Sequence, residues 1–348
     1  MIDRTKDVGR LNLKTGTVDM THGAGGLASV QLIEAVFAKH FTNEWLNVGH
    51  DGALLPPISK PVAVSCDAHV VSPLFFPGGD IGRLAIAGTV NDVSMCGAKP
   101  LYITASFILE EGFSLAQLDQ IVDSMAKTAQ EAGVAIVTGD TKVVEKGLAD
   151  GVYVVTSGIG EALVDHPIDG RQACAGDAVL ISGSMGDHGM AILSCRENMT
   201  FETTIESDAA PLNQMVEAVL AAAPNTHVLR DPTRGGLAAT LNEIANQSRV
   251  GIVLEESAIV VKPEVAAACE FLGLDPLFVA NEGKMIVICP KEEAPAALAA
   301  MKAHSLGKDA AIIGEVFEAG AGTVEMTTLM GGRRMVDWLN SEQLPRIC

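Results

Sequence analysis

Hydrophobic positions in this chain recur with two periods, and the switches between them mark out the elements. Over residues 114–132 the side chains of Leu115, Leu118, Ile121, Val122, Met125 and Ala132 fall on one stripe. That spacing predicts an amphipathic helix, with Ser114 as its N-cap. Residues 80–95 repeat the helical spacing through Ile81, Leu84, Ala85, Ala87 and Gly88, until Gly97-Ala98-Lys99-Pro100 stops it. A further helix is predicted over 30–41, entered from a glycine-rich stretch. Short apolar runs predict strands over 62–66, 101–109, 134–138 and 152–159.

The polar break Asp165-His166-Pro167-Ile168-Asp169-Gly170-Arg171 is the best domain boundary. Beyond it, strands are expected over 178–182, 251–254, 284–289 and near 310–317. Helices are expected over 209–222, 235–246 and 292–304, and residues 183–189 read as a glycine-flanked turn. The first twenty residues lack periodicity and read as a mobile arm. Strands and helices mix in both halves without strict alternation, which predicts an α+β protein of two domains. The expected divisions are an arm over 1–20, an N-terminal domain over 21–165, a C-terminal domain over 166–332 and a flexible tail over 333–348.

Composition narrows the class. The chain has 348 residues, 48% of them apolar and 19% charged, which is ample for two cores. A formal charge of −19 would be repelled by phosphate backbones and argues against nucleic acid as the main partner. No apolar run reaches the ~20 residues of a membrane span, and the N-terminus carries no hydrophobic signal core, so a cytoplasmic protein is expected. The seven cysteines form no CxxC pair, which fits reduced thiols better than disulfides or a zinc site. Six of them lie in apolar or mixed segments and read as buried filler; Cys348 ends the chain.

The candidate chemistry begins with five aspartates at strand ends, turns or helix starts: Asp51, Asp67, Asp92, Asp140 and Asp231. Any one alone reads most simply as a turn or cap residue. Asp92 differs, because it interrupts an apolar helix where an unpaired carboxylate is costly. Converging carboxylates repel one another, and a hard cation such as Mg²⁺ relieves that cost, which points to a metal–triphosphate site. Gly23-Ala24-Gly25-Gly26 and Gly78-Gly79-Asp80-Ile81-Gly82 are candidate phosphate loops, although neither matches a Walker A motif. His22, His69 and His188 stand beside glycine turns, and His69 is the one placed to contact a substrate. Lys142 and Glu282, also at strand ends, are candidates for phosphate clamp and general base, with a solvated loop pair as the plainer reading.

The tail is the sharpest feature. From Trp338 to Cys348 an extended chain spans about 33–36 Å, enough for one thiol to visit both an internal pocket and an external partner. The α-carboxylate raises the thiol pKa and Arg346 opposes it, which leaves its resting ionisation open.

Asp51-Gly52-Ala53, Asp67, the Gly78 loop, Asn91-Asp92-Val93-Ser94, Gly139-Asp140-Thr141-Lys142 and Asp231-Pro232-Thr233-Arg234-Gly235-Gly236 together resemble the superfamily of aminoimidazole ribonucleotide synthetase, selenophosphate synthetase and thiamine-monophosphate kinase. The terminal Pro345-Arg346-Ile347-Cys348 narrows the resemblance to the carbamoyl dehydratases of nickel–iron hydrogenase maturation. That resemblance covers about residues 20–348. It implies the aminoimidazole ribonucleotide synthetase-like fold, with an N-terminal sheet that pairs across a homodimer and ATP sites near the interface. It also implies that a carbamoyltransferase loads Cys348. ATP would then dehydrate the thiocarboxamide to a thiocyanate, whose cyanide passes to iron on a scaffold complex. By the matched motifs, Asp51, Asp67, Asp92 and Asp231 would hold Mg²⁺; Asp140, Gly78, Gly79 and Asn91 would help hold ATP; Cys348, Lys142, Glu282 and His69 would serve the chemistry. A kinase acting on a free acceptor, or a carrier without catalysis, are the competing readings.

Overall fold

In-and-out burial along residues 98–110 builds the first sheet. The computed structural model describes residues 11–197, 205–319, 322–338 and 347. Strands β1 (Val62–His69), β4 (Ala98–Glu110), β5 (Ala135–Val144) and β6 (Val152–Ala162) form a sheet in the order β1-β6-β4-β5. β6 runs antiparallel to β1 and β4, and β4 runs parallel to β5. Between β1 and β4 lie the hairpin β2 (Phe75–Phe76) and β3 (Gly79–Asp80) and the helix α3 (Ile81–Met95). Ahead of them, α1 (Leu27–Leu32), a π-helical turn (Ile33–Phe37) and α2 (Ala38–His40) replace the single helix predicted over 30–41. Phe37 packs on Phe107 of β4 there, with ring centroids 4.9 Å apart.

The amphipathic stripe becomes α4 (Leu115–Ala132), where Ser114 accepts from Gln117 N–H and Gly133 closes the helix in the left-handed region. α3 is buried on nearly every side, as a helix without a polar face must be. It packs on β1, β4, β6 and α4 within its own half, and on elements of the second half.

The second sheet has the order β13-β12-β9-β11-β7-β10-β8. It contains β7 (Asp177–Ile181), β8 (Val228–Arg230), β9 (Val250–Glu255), β10 (Ile286–Pro290), β11 (Ala311–Glu318), β12 (Thr323–Thr327) and β13 (Arg333–Met335). Val179 and Ile181 of β7 join one apolar cluster while Ala178 and Leu180 join another, so both faces of this strand are covered. Helices α6 (Asn213–Ala222) and α9 (Ala294–Ala303) contribute to one cluster and α7 (Gly236–Ser248) to the other.

Three sequence expectations are corrected. Residues 11–20 are docked, not mobile: Val18 is buried, its N–H donates to Phe113 O, and Thr17 bridges Ser114. Residues 1–10 of the expected arm lie outside the described residues. The segment 183–189 is no simple turn, because α5 (Asp187–Arg196) starts inside it, and α8 (Pro263–Leu272) was not foreseen at all. α5 is buried along most of its length and has no apolar stripe, so periodicity cannot reveal it. At the C-terminus, residues 333–335 form β13 on β12 and Val336 is buried, so the expected tail begins later than residue 333.

Buried polar groups pin the two halves together. Asn91 of α3 donates to the carbonyls of Ala210 and Glu282 and accepts from Leu212 N–H. Ser207 N–H donates to Pro77 O, and a side chain on Gly78 would press on the backbone of Ser207. Gly78 also has φ +87°. We predict that Gly78→Ala lowers the first thermal transition by several degrees, since strain and the clash together cost about 2 kcal/mol or more. An unchanged melting profile would contradict this account of the junction.

Candidate active site

The junction brings carboxylates together from four separate elements. Asp67 lies near the end of β1, Asp92 on α3, Asp231 just after β8 and Glu282 just before β10. Asp92 Oδ2 accepts from Ser65 Oγ at 2.6 Å and Asp67 Oδ1 from Ala68 N–H at 2.8 Å. Burial raises the Asp92 carboxyl above its usual range, and Asp67 adds to the rise. Burial, followed by the charge of Asp92, pushes Asp231 up to about 7. Glu282 is driven well above the carboxylate range, first by burial and then by Asp231, Asp208, Asp67 and Asp92. Its Oε1 is buried without a hydrogen-bond partner. Oxygen donors under mutual repulsion, one of them unsatisfied, fit a hard divalent cation such as Mg²⁺.

His69 stands behind this group. Its Nε2 meets Thr156 Oγ1 at 3.1 Å and lies 3.7 Å from Asp67 Oδ2. Burial lowers its pKa, which leaves a neutral imidazole at neutral pH. Gly88 keeps that wall thin, because a Cβ there would sit 3.3 Å from the His69 ring.

A second feature lies on β5. Asp140 and Lys142 pair at 2.8 Å and are largely exposed. They border a cleft of about 360 Å³ whose lining includes His22, Gly23, Phe37 and Phe107. Gly139 permits the close approach of β5 to β4, since a Cβ would meet Ala105 O at 2.2 Å.

The sequence candidates therefore divide. Asp67, Asp92, Asp231 and Glu282 share one electrostatic neighbourhood, with His69 alongside Asp67. Asp51 is fully exposed on a loop beside His50, and this structure does not draw it into the group. Asn91 is spent on backbone groups across the junction, while Gly78 and Gly79 pack on Ser207 and Phe76; all three have a structural task where ATP contact was expected. Cys348 lies outside the described residues. Cys66, Cys96 and Cys174 are exposed, not buried filler. Without any CxxC spacing, the ligand atoms of Cys174, Asp177 and His227 still lie within 4.8 Å of one another. Hydrogen bonds explain that trio: Asp177 Oδ2 accepts from Cys174 N–H and pairs with His227 Nδ1, both at 2.8 Å.

Sequence reasoning missed a charged layer beneath Glu282. Asp208 Oδ1 accepts from Glu282 N–H at 3.0 Å, and its Oδ2 pairs with Lys284 at 3.0 Å. Burial raises the Asp208 carboxyl, but Lys284 and the Glu282 N–H outweigh it, and the group ends below its usual value. Lys262 pairs with Asp187 at 2.8 Å. His188 and Ile347 meet in the same region, where the imidazole Nε2 bonds the Ile347 carbonyl. The only signal for this layer is a polar Ser184, Asp187 and His188 inside an otherwise small and apolar stretch.

Residues 49–162 match the N-terminal domain, and 175–327 the C-terminal domain, of AIR synthase related protein. A carbamoyl dehydratase HypE of Cupriavidus necator is 60% identical over 339 residues, spanning 97% of each chain. A crystal structure of hydrogenase maturation protein HypE in complex with ATP superposes with TM-score 0.92 at 52% identity, covering 94% of this chain and 99% of that one. A HypE–HypF complex matches with TM-score 0.78 at 51% identity, over 88% of this chain and 99% of that one.

Asp231 supplies a pH test. Its folded pKa of about 7 exceeds the ordinary 3.8, so between those values the folded form keeps a proton that the unfolded form has lost. Stability from this group is therefore greatest at acid pH and falls as pH rises towards 7. Asp231→Asn removes the dependence. Without divalent cations, its Tm relative to the parent should rise by a few degrees from pH 5 to pH 8. A flat difference across that range would show that the acids are not crowded as described.

Proposed function

The chain belongs to the HypE family of carbamoyl dehydratases among the AIR synthase related proteins, and we propose that it uses ATP to dehydrate a thiocarboxamide carried on Cys348 to a thiocyanate. What supports this reading is the meeting of the chain's end with its acids. Ile347, one residue before the terminal cysteine, is buried on His188; His188 senses the charge of Asp208, and Asp208 holds the Glu282 backbone.

The amide oxygen attacks the γ-phosphorus of ATP, ADP departs, and the nitrogen gives up one proton. The second N–H proton then leaves as the C–O bond breaks and inorganic phosphate carries the oxygen away. An amide oxygen leaves poorly and phosphate leaves well, which is the reason for using ATP. Asp67, Asp92 and Asp231, joined by Asp51 from its exposed loop, would hold Mg²⁺, which when bound neutralises the acids and the triphosphate. Asp140 flanks the nucleotide, and Lys142 steadies the transferring phosphoryl group. Glu282, protonated while only acids surround it, loses its proton once positive charge stands alongside and then accepts one from the carbamoyl nitrogen. His69 orients Asp67.

A carbamoyltransferase partner loads Cys348, and an iron-carrying scaffold complex receives the cyanide for a nickel–iron hydrogenase. The relatives' complexes with ATP and with HypF support the nucleotide and a loading partner. No helix among the described residues is long and apolar enough to cross a membrane, and we place the reaction in the cytoplasm. The chain acts as a homodimer through the open face of its first sheet, where Val62 and Val64 are 51% and 66% exposed.

Two outcomes are expected. Intact-mass spectrometry of the carbamoyl-loaded chain should show one water lost on adding Mg-ATP, with the adduct on Cys348. Glu282→Gln should slow that loss by 10²-fold or more, on the order expected for a lost general base. An adduct of unchanged mass after ATP addition would sink the proposal. Separately, Val64→Asp should convert the dimer to a monomer in light scattering, and a persisting dimer would move the interface elsewhere.

A further inference from the structure

The buried ring of His188 has a hydrogen-bonding arrangement that only one tautomer satisfies. Its Nε2 faces the Ile347 carbonyl, an oxygen that can only accept, so Nε2 must carry the proton. Its Nδ1 meets Ser207 Oγ at 2.8 Å. That hydroxyl already accepts from Ala209 N–H at 3.1 Å, which frees its own proton for Nδ1. Ser207 is itself fixed, because its N–H donates to Pro77 O. Phe76 closes edge-on against the imidazole, with centroids 5.6 Å apart and planes at 82°. Burial lowers the His188 pKa, in keeping with a neutral ring protonated at Nε2.

The other half of the contact is the chain's own end. Ile347 is only 4% exposed and belongs to the same apolar cluster as Phe76, Ile192, Ala209 and Ala280. An isoleucine near a chain terminus reaches such burial only when a seat exists for it. A carbonyl beside that seat needs a donor to replace water.

Building on the tethered-cysteine reading, we infer that His188 is a positioning residue: a donor post that, with the apolar seat for Ile347, fixes the C-terminus one residue short of the reacting thiol. Specificity follows from both parts. The seat selects a branched apolar residue at the penultimate position, and the post accepts any residue's carbonyl, provided the backbone enters in the right direction. Asp208, whose charge acts on His188 and whose carboxylate accepts from Glu282 N–H, links the docked end to the acid group.

Docking can be read on the unloaded thiol, with neither ATP nor carbamoyl group present. The full-length chain would be treated with N-ethylmaleimide and the modification of its C-terminal peptide followed by mass spectrometry, with the exposed Cys174 as an internal reference. His188→Leu, which keeps bulk but removes the donor, should speed labelling at Cys348 about tenfold relative to Cys174, on the order of one lost buried hydrogen bond. His188→Gln places an amide N–H near the position of Nε2 and should restore slow labelling to within about twofold. Ile347→Ala, which changes only the end of the chain, should also speed it and decides the matter if His188→Leu does not fold. Unchanged labelling in His188→Leu or in Ile347→Ala overturns the inference. So does equally fast labelling in His188→Gln, which would mean that packing and not the donor holds the end. A failure of water loss in the loaded chain, with docking intact, would count against the tethered chemistry alone.

Discussion

Four carboxylates pressed towards one another across a domain junction set the terms for the rest of this molecule. Two come from each half of the chain, and Asp92, Asp231 and Glu282 are raised by burial and by their neighbours. Such a group repels itself, so the surrounding structure has to hold it in place. Asn91 does this with three bonds to backbone groups of the second half, and Asp80 caps the helix that carries both Asn91 and Asp92. Lys284 balances Asp208 directly beneath, so the deepest acid of the layer stays charged while Glu282 above it does not. The arrangement is tense when empty and relaxed by positive charge, which is what a site for a metal-bound polyphosphate requires.

Elements with strong local rules were legible from sequence. The stripe in α4 and its Ser114 cap agree with the structure to within a residue, because an amphipathic surface helix writes its burial into its spacing. Strands β4, β6, β7 and β9 were placed with ends shifted by a few residues at most. α5 escaped because it is buried on nearly every side, where periodicity vanishes. β12 escaped because its parallel partner β9 is distant in sequence, and β13 because it is a three-residue edge strand with two arginines and no apolar run.

The site was readable in a different way. Asp92 stood out by a physical anomaly, a carboxylate in an apolar helix, and the structure supplies the neighbours that explain it. Asp67, Asp231 and Glu282 could be named individually, but their convergence depends on how two sheets meet, which no local pattern encodes. Asn91 and Gly78, picked out by the same motifs, also serve the junction, and Gly79 packs on Phe76 within its own half. Motifs record which positions are constrained; only the fold separates those constrained by a ligand from those constrained by packing. Asp208 went unread, and His188 was marked only by its place beside a glycine turn, since their bonds to the Glu282 N–H and the Ile347 carbonyl leave no spacing to recognise.

The adjacency of Asn91 and Asp92 on α3 has a mechanical meaning. One side chain is bolted to the second half of the protein and the next faces the acids, on a helix that is itself packed into the first sheet. A change in the angle between the halves would be transmitted to the carboxylate through a single peptide unit, with no lever between them. Opening the junction and loosening the acid group are then one movement along one coordinate, so the force that holds the halves together also sets how firmly the site can grip what enters it.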